Sequence, residues 1–375
     1  MPLFDVYPLY DITPERAERC DVYDKNGQRY LDLYGGHAVI SIGHSHPHYV
    51  ERIQQQVAKL GFYSNAIQNP LQEQLASRLR AFSDCENYKL FLCNSGAEAN
   101  ENALKLASFQ TQRSKIVAFK NGFHGRTSAA VAATDNPSIV APINAQHEVV
   151  FCPFNDIDAV AKALEKQDVA AVIVEFIQGV GGLDQVETEF IQAVQRICRE
   201  TGTLLIADEV QSGYGRTGKF FAFQYHGIEP DIISLAKGMG NGFPIGGILI
   251  HPSIPAKHGM LGTTFGGNHL ACAAGLAVLD ILEHEQLMEH AETLGKWFAD
   301  QVSDLKISAK TKGKGLMLGL EFDFPVAALR KQLLFEHHIF TGSASDPNVL
   351  RILPPLCVTQ EELSQFFKAL KTCLE

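Results

Sequence analysis

Residues 231–250 read "DIISLAKGMGNGFPIGGILI". Two short apolar runs, each about the length of one buried strand, flank a turn. The turn opens with one cation, Lys237, and carries Gly238, Gly240 and Gly242 before Pro244. A lysine at a strand end often marks the point where the chain meets water. Glycines directly after it have a further use, because a backbone without side chains can pass close to a bound group.

Outward from this stretch, the same texture recurs. Runs rich in Val, Ile, Leu and Phe lie at 89–94, 115–120, 147–152, 171–176, 203–208, 231–236 and 245–250. Most are nearly continuous in apolar residues, the mark of strands covered on both faces. Helical segments fit between them, at 97–111, 156–166 and 188–200. This alternation predicts an α/β domain with a mostly parallel, seven-stranded sheet. Past about residue 280 the order changes to helix 285–304, strand 315–322, helix 326–337, strand 349–354 and helix 359–374, which reads as a smaller α+β domain. The expected division is an N-terminal segment 1–48 packing with the small domain, a large domain 49–280 and a small domain 281–375. At 375 residues, more than one domain is the ordinary expectation.

Composition narrows the class of function. The chain is 46% hydrophobic and 20% charged, with a net charge of −10, so it carries no basic footprint for nucleic acid. No apolar run reaches the roughly 18 residues of a membrane span. The eight cysteines are scattered without a C-x-x-C pair, which reads as reduced core thiols and a cytoplasmic protein.

Ligands of open α/β sheets bind beyond the carboxyl ends of the strands. Four features fall there: Asp208, closing "TLLIAD"; Lys237; "NSGAEAN" at 94–100, opening a helix; and "NGFHGRT" at 121–127. Ser95, Gly96 and Ala97 stand where a helix N-terminus offers unpaired N–H groups to an anion. Ser95 also reads as an N-cap with Glu98 as its capping-box partner. A lysine in a low-dielectric pocket becomes a nucleophile toward carbonyls, and a carboxylate nearby can hold a protonated ring nitrogen. Lysine Schiff base, ring-nitrogen carboxylate and phosphate cup are together the needs of pyridoxal 5′-phosphate. "GMGNG" lacks the spacing of a dinucleotide fingerprint, and no P-loop is present. In "GHSHPHY" (43–49), His44, His46 and His48 alternate, but no cysteine or carboxylate completes a ligand set, so no metal is expected. Phe220, Phe221 and Phe223 read as packing.

From "YDKNGQRYLDLYGGHAVISIGHSHPHYV" (23–50) to "VLRILPP" (349–355), the chain resembles the class III aminotransferases of PLP fold type I. It is most similar to the acetylornithine/succinylornithine group, with "LLIADEVQSGYGRTGKFFAFQYHGIEPDIISLAKGMGNGFPIG" as the most specific segment. The resemblance implies that Lys237 bonds the cofactor and shuttles a proton, while Asp208 holds the pyridine nitrogen. It implies Val210 and Phe123 on the two ring faces and Gln211 on the phenolic oxygen. Ser95, Gly96 and Ala97 would bind the phosphate, joined by Thr264 from the other subunit of a homodimer, with Thr263 nearer the substrate. Arg126 would grip the α-carboxylate of an N-acylated ornithine, and Arg351 that of glutamate or 2-oxoglutarate. One position departs from the family. "EFIQGVGG" (175–182) has Val180 where relatives carry a glutamate that pairs with the equivalent of Arg351. The pocket thereby loses a negative charge, which favours a donor with an extra carboxylate, such as N2-succinylornithine. The expected reaction is transfer of the terminal amine of an N2-acylornithine, acetyl or succinyl, to 2-oxoglutarate in arginine biosynthesis. Ornithine δ-transamination, 4-aminobutyrate transamination and an aminomutase are the alternatives.

Overall fold

The computed structural model describes residues 3–375. Its centre is a seven-stranded sheet, numbered here in chain order: β1 (Lys89–Cys93), β2 (Lys115–Phe119), β3 (Val149–Cys152), β4 (Val169–Glu175), β5 (Leu204–Asp208), β6 (Ile232–Leu235) and β7 (Gly246–Ile250). The strands lie in the order β1-β7-β6-β5-β4-β2-β3. All neighbours pair parallel except β7, which is antiparallel to both β1 and β6. The apolar texture of β7 is that of its neighbours, so its reversed direction could not be read from it.

Burial explains the continuous apolar runs. Every residue of β4 is buried, with Val172 and Val174 in one hydrophobic cluster and Ala171 and Ile173 in another. Alternate side chains thus enter opposite layers, and neither face needs polar residues. Helix Gly96–Thr111 crosses the second layer, touching β7, β6, β5 and β4. Ala99, Ala103 and Ala107 recur every four residues on one side of it, so it can lie close to the sheet. That diagonal course carries its N-terminus from the edge strand β1 to the middle of the sheet's carboxyl end.

The remaining strands form two smaller sheets. Strands Pro14–Glu18, Asp21–Asp24 and Arg29–Asp32 make an antiparallel meander that pairs in parallel with Ile339–Phe340. Strands Lys310–Lys314, Met317–Glu321, Val349–Ile352 and Gly342–Ser343 form the other, wholly antiparallel. Besides the short helices Gly35–Ala38 and Ser128–Ala132, three long ones had no sequence expectation: Pro47–Lys59, Pro70–Ser83 and His269–His284. The last is buried at every position from Ala271 to Leu279, so it lacks the polar face that a 3.6-residue period would reveal.

Two backbone features position the site. Gly35, Gly36, His37 and Ala38 have φ of +54°, +54°, +67° and +61°, four successive residues in the left-handed region. Each non-glycine there costs about 1–2 kcal/mol, so surrounding contacts must hold this turn. Asp32 Oδ1 accepts from the Tyr34 and Gly35 N–H groups at 3.0 and 2.8 Å, while Gly35 O accepts from Val39 and Ile40. The second feature is Arg216, a buried cation. Its guanidinium donates to Leu316 O at 3.2 Å, to Pro354 O, and to Ile40 O at 3.2 Å, tying three distant parts of the chain together. Burial lowers its pKa to about 10. Arg216→Lys gives up the planar fork and with it at least one of these charge-assisted bonds, each worth about 1.5–3 kcal/mol. The expected loss of about 2–4 kcal/mol should appear as a lower denaturant midpoint, and an unchanged midpoint would contradict the bracing role.

Candidate active site

A cavity of about 350 Å³ opens at the carboxyl ends of β4, β5 and β6. Strand register puts Glu175 of β4 beside Asp208 of β5, and Asp208 beside Ser234 of β6, so chemically active ends gather on one edge. Asp208 is buried at the cavity floor. Its Oδ2 accepts from Asn100 Nδ2 and His124 Nδ1, both at 2.7 Å, and its Oδ1 from Val210 N at 3.0 Å. Burial opposes charge on His124, but its hydrogen bond to Asp208 and the two carboxylates nearby outweigh that, so its pKa lies above the ordinary histidine value.

Lys237 follows β6 in the left-handed region, φ +47°, and its side chain lines the cavity with no hydrogen-bond or ion-pair partner among the described residues. Burial lowers its pKa to about 8, and Arg351 pushes in the same direction, while Asp208 and Glu175 oppose it. Glu175 has its pKa raised to about 7, chiefly by burial. It is anchored by the Phe123 and Gly179 N–H groups, both at 2.9 Å.

The helix N-terminus completes the edge. Ser95 is the N-cap, its Oγ accepting from Glu98 N at 3.2 Å. The expected reciprocal half of the capping box is absent: Glu98 Oε2 instead accepts from Asn94 N at 2.7 Å and Asn94 Nδ2 at 2.9 Å. The loop entering the helix brings Asn94 closer to that carboxylate, leaving the first N–H groups, of Gly96 and Ala97, unspent within the chain. Gly96 must lack a side chain, because a Cβ there would stand 2.5 Å from Val210 Cγ1.

A family model described as aminotransferase class-III matches residues 6–374. The chain belongs to the class-III aminotransferases. It is 41% identical to the acetylornithine aminotransferase of Bacillus subtilis (strain 168), over 99% of this chain and 97% of that one. It is 40% identical to the acetylornithine aminotransferase of Aquifex aeolicus (strain VF5), over 99% of both. Among solved structures it resembles the ornithine aminotransferase of Toxoplasma gondii ME49, at 28% identity and a TM-score of 0.91, covering 98% of this chain and 91% of that one. A second structure of that enzyme, with a TM-score of 0.90, 28% identity and the same coverage, is described as having partial occupancy of PLP at its active site.

The aminotransferase's cavity is lined by Ser95, Gly96, Ala97, Phe123, Arg126, Asp208, Val210, Gln211 and Lys237, all singled out in the sequence. Val180 lines it too. A flat, anionic ring compound fits what is present. The Gly96 and Ala97 N–H groups have no partner within the chain and suit an anion, and Val210 and Phe123 offer apolar faces.

Three residues lie elsewhere. Arg351 is buried beside the cavity, its Nε donating to Ser343 O at 2.5 Å and its Nη1 to Gly179 O at 2.6 Å. Thr263 and Thr264 do not line this cavity: Thr264 is exposed, and Thr263 Oγ1 accepts from Gly266 N at 3.1 Å and Asn94 Nδ2 at 3.4 Å. His44, His46 and His48 each face a different carboxylate, Asp32, Glu285 and Asp280. Phe220, Phe221 and Phe223 are core. No helix among the described residues is long and apolar enough to cross a membrane.

Asn100, His124 and Glu175 carried no sequence expectation. Asn100 stands one turn into the helix after "SGAEA" and His124 directly after Phe123, so adjacency to the motifs was the only signal. Because burial favours the neutral amine, Lys237 in cofactor-free aminotransferase should titrate near pH 8. Labelling by an amine-directed reagent, followed site by site by mass spectrometry, should rise through about pH 8 at Lys237, against about 10.4 for exposed lysines. A Lys237 midpoint equal to theirs would show that its pocket is wet.

Proposed function

We propose that this aminotransferase uses pyridoxal 5′-phosphate to transfer the terminal amine of N2-acetylornithine to 2-oxoglutarate, giving the semialdehyde and glutamate in cytoplasmic arginine biosynthesis. The observation that carries the reading is Lys237, held unpaired in a dry cavity between Asp208 and a free helix N-terminus. Substrate choice is supported by likeness of about 40% to acetylornithine aminotransferases along the whole chain, against 28% to the ornithine enzyme.

When bound, the cofactor supplies an aldehyde for the amine and a ring that accepts electron density. Lys237 Nζ, neutral in a useful fraction near pH 8, takes the proton from the donor's terminal carbon and returns it on the other side of the exchange. Asp208 would hold the cofactor's ring nitrogen, and Asn100 and His124 keep its carboxylate in place. Phe123 and Val210 would confine the ring, the Gln211 amide N–H would donate to its oxygen, and Ser95, Gly96 and Ala97 would bind the phosphate. Arg126, exposed at the cavity rim, takes the donor's α-carboxylate at a distance from the reacting amine. Arg351 takes that of the keto acid.

The reading includes a homodimer in which Thr264 of the partner subunit completes the phosphate site. Supporting it, Thr264 is exposed and does not line its own cavity, and the nearby Phe62, Tyr63, Ile67 and Phe265 are exposed apolar side chains. It also includes the division into segment 1–48, large domain 49–280 and small domain 281–375, supported by the three separate sheets.

Free ornithine is the second reading, on the strength of the structural neighbours. The test mixes cofactor-loaded protein with N2-acetylornithine, N2-succinylornithine, ornithine or 4-aminobutyrate and follows the absorbance of the lysine-bound cofactor. N2-acetylornithine should react with a kcat/KM at least about tenfold above ornithine and 4-aminobutyrate, a 1.4 kcal/mol preference. Glutamate should then form on adding 2-oxoglutarate, and Lys237→Ala should show neither signal. A faster reaction with ornithine would overturn the choice of donor, and a clearly faster succinyl donor would assign the acyl group to Val180's uncharged pocket.

A further inference from the structure

The left-handed turn at 35–38 brings two side chains to Arg351 that nothing above uses. Tyr34 Oη stands 3.5 Å from Arg351 Nη2 and 2.5 Å from His37 Nδ1, and the guanidinium carbon is 5.8 Å from the Tyr34 ring centroid. The Tyr34 and His37 rings are 4.8 Å apart. The opposite side is shaped to match: a Cβ on Gly342 would stand 2.7 Å from Tyr34 Cδ2, so only glycine admits the ring. The turn is also linked to the cavity, since His37 O accepts from Gln211 Nε2 at 3.4 Å.

Arg351 meets no carboxylate among the described residues, although it is 3% exposed. Two of its donors are spent on Ser343 O and Gly179 O, so the Nη2 edge, where Tyr34 Oη stands at the long limit of a hydrogen bond, is what remains for a ligand. An anion at that edge would find a hydroxyl as a second donor.

We propose that Tyr34 and His37 are specificity-determining residues that complete, with Arg351, a carboxylate subsite for the dicarboxylic substrate. The proposal rests on the reading that Arg351 binds the keto-acid carboxylate. His37 gives Tyr34 its versatility. Burial, Arg351 and Lys237 all lower the His37 pKa, favouring the neutral ring. With Nδ1 unprotonated the ring accepts the Tyr34 hydroxyl proton in a hydrogen bond. In the other tautomer Nδ1–H donates to Oη, and the hydroxyl is turned toward the carboxylate. No covalent bond changes except the position of the imidazole proton, which exchanges through water. His37 stands at φ +67°, and its ring is held to the tyrosine by the Oη–Nδ1 hydrogen bond.

The test uses the cofactor-loaded enzyme and two variants. Tyr34→Phe keeps the ring over Arg351 and removes the hydroxyl. His37→Asn keeps a residue tolerant of the left-handed region and removes the imidazole. Because the exchange runs in two halves, each substrate has its own kcat/KM. Tyr34→Phe should lower kcat/KM for 2-oxoglutarate about tenfold or more, the effect of losing a hydrogen bond to a charged group. It should change the N2-acetylornithine half-reaction less than about twofold. Calorimetric binding of glutarate, an unreactive dicarboxylate, should weaken by a similar factor, and His37→Asn should move both readouts in the same direction by a smaller factor. Equal losses in both half-reactions, or unchanged glutarate affinity in either variant, would show that the pair only braces the turn. Wild-type turnover of N2-acetylornithine tests the proposed donor alone. The glutarate measurement is independent of that donor, so the two ideas fail separately.

Discussion

The architecture depends on keeping a small group of ionisable side chains out of water at one edge of a sheet. Asp208 is the centre of this constraint. It is buried at the end of the middle strand, and three donors from three different segments converge on its carboxylate. Removing any of them would leave a buried carboxylate short of partners, a penalty of a few kcal/mol. Helix Gly96–Thr111, the loop 121–127 and the turn after β5 are therefore tied to one point. The same dryness weakens the hold of Lys237 on its proton and raises Glu175 to about 7.

Strand topology makes this concentration possible. Parallel strands end side by side, so Glu175, Asp208 and the Ser234–Lys237 segment arrive at one edge from residues far apart in the chain. The diagonal helix delivers its N-terminal N–H groups to the same place, adding positive potential opposite the carboxylates. Beyond the edge, Val39 of the N-terminal segment lines the cavity, and Arg351 of the C-terminal sheet reaches the Gly179 carbonyl beside it. Arg216 and the strained turn at 35–38 fix how segment and sheet meet, and Arg351 is held against Tyr34 and the carbonyl of Gly179. Glu175 extends the linkage, since it binds both the Phe123 loop and the Gly179 loop.

Legibility in the sequence followed burial pattern and motif density. The central strands stood out because most are nearly continuous in apolar residues, and residues next to glycine-rich turns pointed to part of the cavity lining. The helix His269–His284 was hidden for the opposite reason, having no polar face to set a period. Asn100 and His124 were hidden because a helix interior and a loop give no local sign that a side chain reaches Asp208, a partner 108 and 84 residues away.

The sequence by itself determined the alternation of strand and helix and the family signature, and it singled out the lysine, the carboxylate and the helix-opening turn that line the cavity. These depend on local preferences and short spacings, which survive without knowledge of the neighbours. Only the tertiary structure decided that β7 runs against its neighbours, that Glu98 caps Asn94 and not Ser95, and that Arg351 is gripped by backbone carbonyls with Tyr34 and His37 beside it. Hydrogen bonds and desolvation depend on which atoms come within a few ångströms, and for residues 317 positions apart, as Tyr34 and Arg351 are, folding alone sets that distance.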